Sequence, residues 1–370
     1  MSRSRILYAL YLFFIVFLSL EIILRFYNPF HFRVKGNRIV LPANERLVIH
    51  NTGNPRLDPV IINSRNSLGF RGPEKPAGFD QCLSVVTVGG SATECHFLSD
   101  DKTWPWLLAG ELKKSFPSLW LNNAGLDGHS TFGHQVLLND YLVAIRPKLI
   151  LFLTGMNEIE NEGLTFHDKQ NIRNTYNGFL HFIFNNSEAL NLGLNLVRRH
   201  QAQQMNNAIN GLQDLRKDER LVMTEQQVAE RRQRQAGFLA GYRQRLVQLI
   251  DTCRTHAIEP VCMTQPDLLG RGRDSATGAD LEMLKIDTDS NGKCLWTVLE
   301  MYNDVTRQVC REKKVAVIDL ASEMPKNSLY YYDHSHFTNE GAKKVAEITA
   351  IHLKDILSQL PGAVGGMPGK

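Results

Sequence analysis

The sequence predicts an α/β fold: a three-layer α/β/α domain with a mostly parallel sheet of about five strands, behind one N-terminal transmembrane helix. Three observations predict it. Between residues 81 and 360, short apolar runs alternate with stretches of helical spacing. The runs are continuously apolar, as strands covered by helices on both faces must be. Residues 6–24 are almost unbroken hydrocarbon.

The elements follow in order. Ile6 to Leu20 is nearly all apolar, and Ile22 to Leu24 continues it past Glu21. At ~1.5 Å per residue this helix spans roughly 28 Å, close to a bilayer core. Arg3 and Arg5 precede it, as in a signal sequence. Glu21, Arg25 and Phe26 stand where a small-residue cleavage site would follow. Residues 1–27 are therefore read as an uncleaved signal-anchor, with a cleaved signal peptide and a buried core helix as the rivals. Glu21 falls near one end, within reach of headgroups and water. Arg25, Arg33, Lys35 and Arg38 lie just beyond the span. The reading still sets a short tail in the cytoplasm and the large domain outside, on the periplasmic side if the source is bacterial.

Residues 28–80 are rich in Asn, Pro, Gly and Arg and lack strong periodicity, which reads as a linker packing on the domain. The domain itself is expected over 81–360. Leu83 to Val88 is a buried strand entering the tight turn Gly89-Gly90. Trp104 to Leu112 is helical. Leu119 to Asn123 is a strand, and Gln135 to Ile145 a helix stopped by Pro147. Leu149 to Thr154 is the third strand, ended by Gly155. Residues 165–235 break the rhythm and read as a helical insertion. Thr224 and Gln227 form a capping box opening a long helix towards Cys253. Ile258 to Thr264 and Val315 to Leu320 are the last strands. Leu295 to Arg311 and Asn339 to Leu357 are helices, and 361–370 is a flexible tail.

Composition excludes several classes. A net charge of +4 is small for 370 residues and does not demand nucleic acid, for which there is no binding signature. Arg198-Arg199 and the 231–234 cluster read as solvated helix faces, with an anionic glycan or lipid headgroup as the minority reading. None of the six cysteines forms a CxxC pair, which argues against a zinc ribbon or redox motif. Free, half-buried thiols are the simplest reading, although an even count permits disulfides outside the cytoplasm. Asn185-Asn186-Ser187 is a sequon of a kind expected by chance.

Four motifs fall at the carboxyl ends of predicted strands, where ligands of such sheets bind. The first is Val88-Gly89-Gly90-Ser91-Ala92-Thr93. Its glycines allow a sharp turn and leave Ser91 at the sheet edge with its N–H free. Asn123-Ala124-Gly125-Leu126-Asp127-Gly128 and Gly155-Met156-Asn157-Glu158 follow the second and third strands. A glycine N–H and an asparagine amide are donors of the kind a developing oxyanion needs. The last is Asp333-His334-Ser335-His336, in which a carboxylate three residues before an imidazole can orient it and stabilise its protonated form. Each alone reads more simply as a turn, an N-cap or a helix entry.

In combination and in this order, the motifs resemble the SGNH (GDSL-like) hydrolase family over most of residues 83–357. The resemblance implies a flavodoxin-like sheet and a serine esterase. Ser91 would be the nucleophile, His336 the general base and Asp333 its partner. The Ser91 N–H, the Gly128 N–H and the Asn157 side chain would form the oxyanion hole. No cofactor and no metal is implied. The substrate would be an ester, with a small acyl group on a carbohydrate or cell-envelope glycan. An O-acyltransferase with the same triad, or a non-catalytic membrane-tethered glycan-binding or assembly protein, are the alternatives. Gly90 departs from the family's Gly-Asp-Ser. Asn66-Ser67-Leu68-Gly69-Phe70-Arg71-Gly72 and Arg25 resemble a membrane-tethered bacterial branch of the family.

Other arrangements compete. Gly128-His129-Ser130-Thr131 nearly matches a Gly-x-Ser-x-Gly elbow, but position 132 is Phe, so Ser130 is the lesser nucleophile candidate. His334 and His336, with His96, His129 or His134, match no known metal spacing. Arg271 and Arg273 read as a solvated loop, with an anionic substrate as the alternative.

Overall fold

Five runs of the chain form the sheet, four of them buried along their whole length or nearly so. They are β3 (Leu83–Gly89), β4 (Leu119–Asn123), β5 (Leu149–Thr154), β6 (Glu259–Thr264) and β7 (Ala316–Ile318), the last being only partly covered. The computed structural model describes residues 3–27, 34–35, 38–160, 186–193, 196 and 219–360. All five strands run parallel in the order β4-β3-β5-β6-β7. The order reverses direction beside β3, which makes the carboxyl ends of β3, β4 and β5 the topological switch point.

Alternate residues face opposite layers. Leu83, Val85, Leu121, Leu151, Val261 and Met263 belong to one core, covered by the helices α3 (Trp104–Lys113) and α9 (Asn339–Ser358). Cys262 faces a second core, with Tyr242, Leu246 and Ile250 of α6 (Ala236–Thr255) and Val298 and Tyr302 of α7 (Gly292–Lys313). This is the three-layer arrangement expected. The short helices α2 (Ser91–Glu94), α4 (Thr131–Leu137) and α8 (Leu320–Glu323) follow strand ends.

Details differ from expectation for identifiable reasons. The helix after β4 begins at Thr131, with Ser130 as its cap, and is wound as π-helix over Leu138–Leu142. The capping box of Thr224 and Gln227 is present, but it opens α5 (Glu225–Arg234) only. Gln235, fully buried, separates α5 from α6, bonding Glu160 through its amide nitrogen at 3.0 Å and accepting from the Tyr302 hydroxyl at 3.0 Å. Most of the 165–235 insertion, the arginines at 198–199 and the tail at 361–370 lie outside the described residues.

The chain divides into two compact units, residues 1–42 with 164–211, and residues 43–163 with 212–370. The first holds α1 (Arg3–Phe26), whose residues Ser4–Phe26 are long and apolar enough to cross a membrane and expose most of their apolar side chains, Leu24 being buried. Glu21 there accepts the Ser187 hydroxyl at 2.9 Å and the Glu188 and Ala189 N–H groups at 3.1 and 3.0 Å. It thus caps a short helical segment, as an acidic side chain at a helix N-terminus does. The second unit opens with an antiparallel hairpin of β1 (Arg46–His50) and β2 (Val60–Ser64). All six cysteines are free thiols, five of them buried.

Candidate active site

Ser91 is the first residue of α2, directly after β3 and Gly90. The first N–H groups of a helix have no partner within it, and among the described residues neither the Ser91 nor the Gly128 N–H has a hydrogen-bond acceptor. Gly128, on the loop after β4, has φ +71°, a left-handed conformation that glycine adopts without strain.

The loop between α8 and α9 is closed like a hairpin. Tyr331 pairs with Phe337, the Tyr332 N–H donates to the His336 carbonyl at 3.0 Å, and the Thr338 N–H to that of Tyr330 at 3.0 Å. Asp333 and His336 lie at its tip. The His336 imidazole meets Ser91 Oγ through Nε2 at 2.7 Å and Asp333 Oδ2 through Nδ1 at 2.7 Å. Asp333 Oδ1 accepts the Ser335 and His336 N–H groups, both at 2.8 Å.

The charges in this row act on one another. Burial works to raise Asp333, but the His336 and His334 imidazoles and its hydrogen bonds hold it down to about 2. Burial works to lower His336, and Asp333 overcomes it, so His336 sits above the ordinary imidazole value. His334 turns to Asp267, whose carboxylate is fully buried and 2.9 Å from Nδ1. Against the effect of burial, Asp267 raises His334 to about 9. A positive charge therefore stands beside Asp333 and His336.

Asn157, in the turn after β5, donates its amide to the His129 carbonyl at 2.9 Å. The same amide lies against Gly90: a Cβ there would stand 2.3 Å from Nδ2. This accounts for glycine before the serine, since any side chain would displace the Asn157 amide. Glu158, beside it, is buried and accepts from Thr131 N at 2.5 Å, Thr131 Oγ1 at 2.9 Å and Arg245 at 3.0 Å.

The other candidates lie elsewhere or do other work. Ser130 is fully buried and caps α4, accepting from Phe132 N at 3.3 Å. His134 is buried, and its pKa falls to about 4 because burial penalises the charged ring. His96 contacts Asn63 at 3.4 Å and Glu94 at 3.7 Å. Among the described residues, no group of three or more His, Cys, Asp or Glu is placed to hold a metal ion. Arg271 and Arg273 are exposed.

Sequence reasoning does not find Arg65, Glu94, Asp267, Arg245 or the rings around the imidazole. Tyr332 stacks on His336 with centroids 5.4 Å apart and planes at 9°, and Phe97 meets Tyr332 edge-on at 6.3 Å. The only signal for Glu94 is its place three residues after Ser91. The others carry none.

No curated protein matches the chain. Among solved structures, an acetylxylan esterase from Geobacillus stearothermophilus is similar at 12% identity, over 73% of this chain and 93% of that one, with a TM-score of 0.42. An alpha/beta hydrolase from the metagenome of Lake Arreo, Spain, is similar at 13% identity, over 75% of this chain and 97% of that one, with a TM-score of 0.43. The model of the GDSL-like Lipase/Acylhydrolase family matches residues 87–344, which run from the strand before Ser91 into the helix after His336. The chain thus belongs to the GDSL-like lipase/acylhydrolase family, as a serine esterase.

Proposed function

We propose that Ser91 is the nucleophile of this esterase, His336 its general base and Asp333 the group that orients and charges the base. The supporting observation is the unbroken row from Ser91 Oγ to Asp333, with 2.7 Å at each imidazole nitrogen across a sequence separation of 245 residues. His336 Nε2 takes the Ser91 proton as Oγ attacks the ester carbonyl, and the resulting imidazolium is held by Asp333. His336 then gives that proton to the leaving alcohol. Water resolves the acyl-enzyme by the same steps in reverse order. The Ser91 and Gly128 N–H groups and the Asn157 amide are the oxyanion donors in this reading.

The substrate in this reading is a small acyl group esterified to a carbohydrate or cell-envelope glycan. The rings of Phe97 and Tyr332 beside His336, with His96 next to them, offer an aromatic face with polar neighbours, which suits a sugar ring. Helix α1 is read as an uncleaved anchor that tethers the esterase to a membrane, with the catalytic domain outside the cytoplasm.

The test is kinetic. Ser91→Ala, His336→Ala and the double variant should lose turnover of a soluble acetyl ester to a similar residual level, because members of a catalytic unit are not additive. Activity persisting in Ser91→Ala and lost in Ser130→Ala would move the nucleophile to Ser130. Across a panel of esters, acetylated sugars should outrun long-chain esters, and Phe97→Ala should raise KM for the sugars alone.

A further inference from the structure

Arg65 and Glu94 belong neither to the triad nor to the oxyanion donors, yet they tie the serine turn to the loop that carries Gly128. Glu94 is the last residue of α2, and its side chain is 1% exposed. Its Oε2 accepts the Asp127 N–H at 2.5 Å, one residue before Gly128. Its Oε1 accepts from the Arg65 guanidinium at 2.5 Å. Arg65 follows β2 directly, and its own N–H is held by the Glu45 carbonyl at 2.7 Å.

A second buried arginine acts on the other side of the same turn. Arg71 donates to the carbonyls of Glu94, Cys95 and Leu98 at 2.9, 2.7 and 2.8 Å, and to Asp100 at 2.8 Å. Its backbone exchanges hydrogen bonds of 2.9 Å with Asn123, at the end of β4. The segment around residues 63–72 therefore grips both the turn after β3 and the loop after β4. None of it lies within the family match, which begins at residue 87.

A buried carboxylate is costly unless donors compensate it, and here one of the donors is the Asp127 N–H of the oxyanion loop itself. Stabilisation of an oxyanion depends on donors standing about 2.7–3.1 Å from it, and a misplacement near 1 Å costs on the order of 10²-fold in rate. We infer that Arg65 and Glu94 are positioning residues that fix the Gly128 N–H against Ser91. The segment 43–72 is then a working part of the esterase site. This rests on the reading of Ser91 as nucleophile and Gly128 as oxyanion donor.

The test compares Glu94→Gln, Arg65→Gln and Arg65→Lys with the native chain. Kinetics on a soluble acetyl ester are measured beside the inhibition constant of a trifluoromethyl ketone, whose serine adduct carries an oxyanion. Glu94→Gln and Arg65→Gln should lower kcat roughly 10- to 100-fold, leave KM within about twofold and weaken the ketone by a similar factor. Arg65→Lys, which keeps a cation on Glu94, should recover part of the loss. A purely structural ion pair would lower Tm and leave kcat and ketone affinity of the folded protein unchanged; that result overturns the inference. Failure of all three variants to fold also marks the pair as structural and overturns it. Ser91→Ala, assayed alongside, separates the two claims. If it keeps turnover, the nucleophile reading fails; if it is dead while Glu94→Gln is native-like, this inference alone fails.

Discussion

His336 works under opposing influences. Burial favours its neutral ring, Asp333 and Asp127 favour the imidazolium, and the His334 charge opposes them; the sum raises its pKa above the ordinary 6.5. As the proposed general base, His336 must be neutral to accept the Ser91 proton, so this reading predicts that kcat/KM falls as pH drops through a value above 6.5. His334→Asn removes the neighbouring positive charge, which lets His336 hold its proton more tightly. The acid limb of the kcat/KM profile should then move to higher pH; a shift to lower pH would contradict this electrostatic account. Gly90 makes the same point through sterics. Gly90→Ala places a Cβ against the Asn157 amide, so kcat should drop on the order of 10²-fold, as for loss of an oxyanion donor, with little change in Tm. Unchanged turnover in Gly90→Ala would show that Asn157 tolerates displacement and is not a donor. Gly90 is read from the sequence as a turn residue, but its second duty depends on Asn157, 67 positions away. Arg65 and Glu94, or His334 and Asp267, are likewise single residues at distant positions, and a lone buried charge leaves no local pattern.

At the scale of elements, the strands were legible because β3, β4 and β5 are buried along their full length and read as continuous apolar runs. The β1–β2 hairpin was not. β1 is exposed at four of its five positions, and β2 buries only Ile61 and Asn63, so the alternation is too short to register against a loop. Gln235 interrupts the helix after Thr224 for tertiary reasons, through Glu160 and Tyr302, that helical spacing cannot carry. The hairpin-like loop at 330–338 is held at its tip by the His334–Asp267 pair and by the Leu268 N–H on the His334 carbonyl at 2.7 Å. Folding raises His334 from 6.5 to about 9. Its stabilisation is therefore complete below about pH 6.5 and is lost as pH rises through about 9. Asp267→Asn removes it, so the Tm gap between native and variant should narrow as pH climbs across that window. A gap that widens would refute the pairing.

For the molecule as a whole, the alternation of apolar runs with helical stretches pointed to the fold, and the order of the motifs to the family. Ser91, His336 and Asp333, the proposed triad, meet because the switch point gathers the ends of β3, β4 and β5 under the loop before α9. Helix α1 is the other feature legible from the sequence: apolar, and long enough to span a bilayer. As an anchor, it should keep residues 6–24 in the mature protein and hold the protein in the membrane fraction through carbonate extraction. N-terminal sequencing that begins after residue 25 would identify a cleaved signal instead.

The central claim is that Ser91 is the activated nucleophile, and covalent labelling tests it most directly. Detergent-solubilised full-length protein is treated with a fluorophosphonate, and the modified residue is mapped by peptide mass spectrometry. The account predicts stoichiometric modification of Ser91, abolished in Ser91→Ala and slowed by orders of magnitude in His336→Ala, since the base no longer takes the proton. Modification of Ser130, or a folded protein that takes no label while Ser91 is intact, would contradict it.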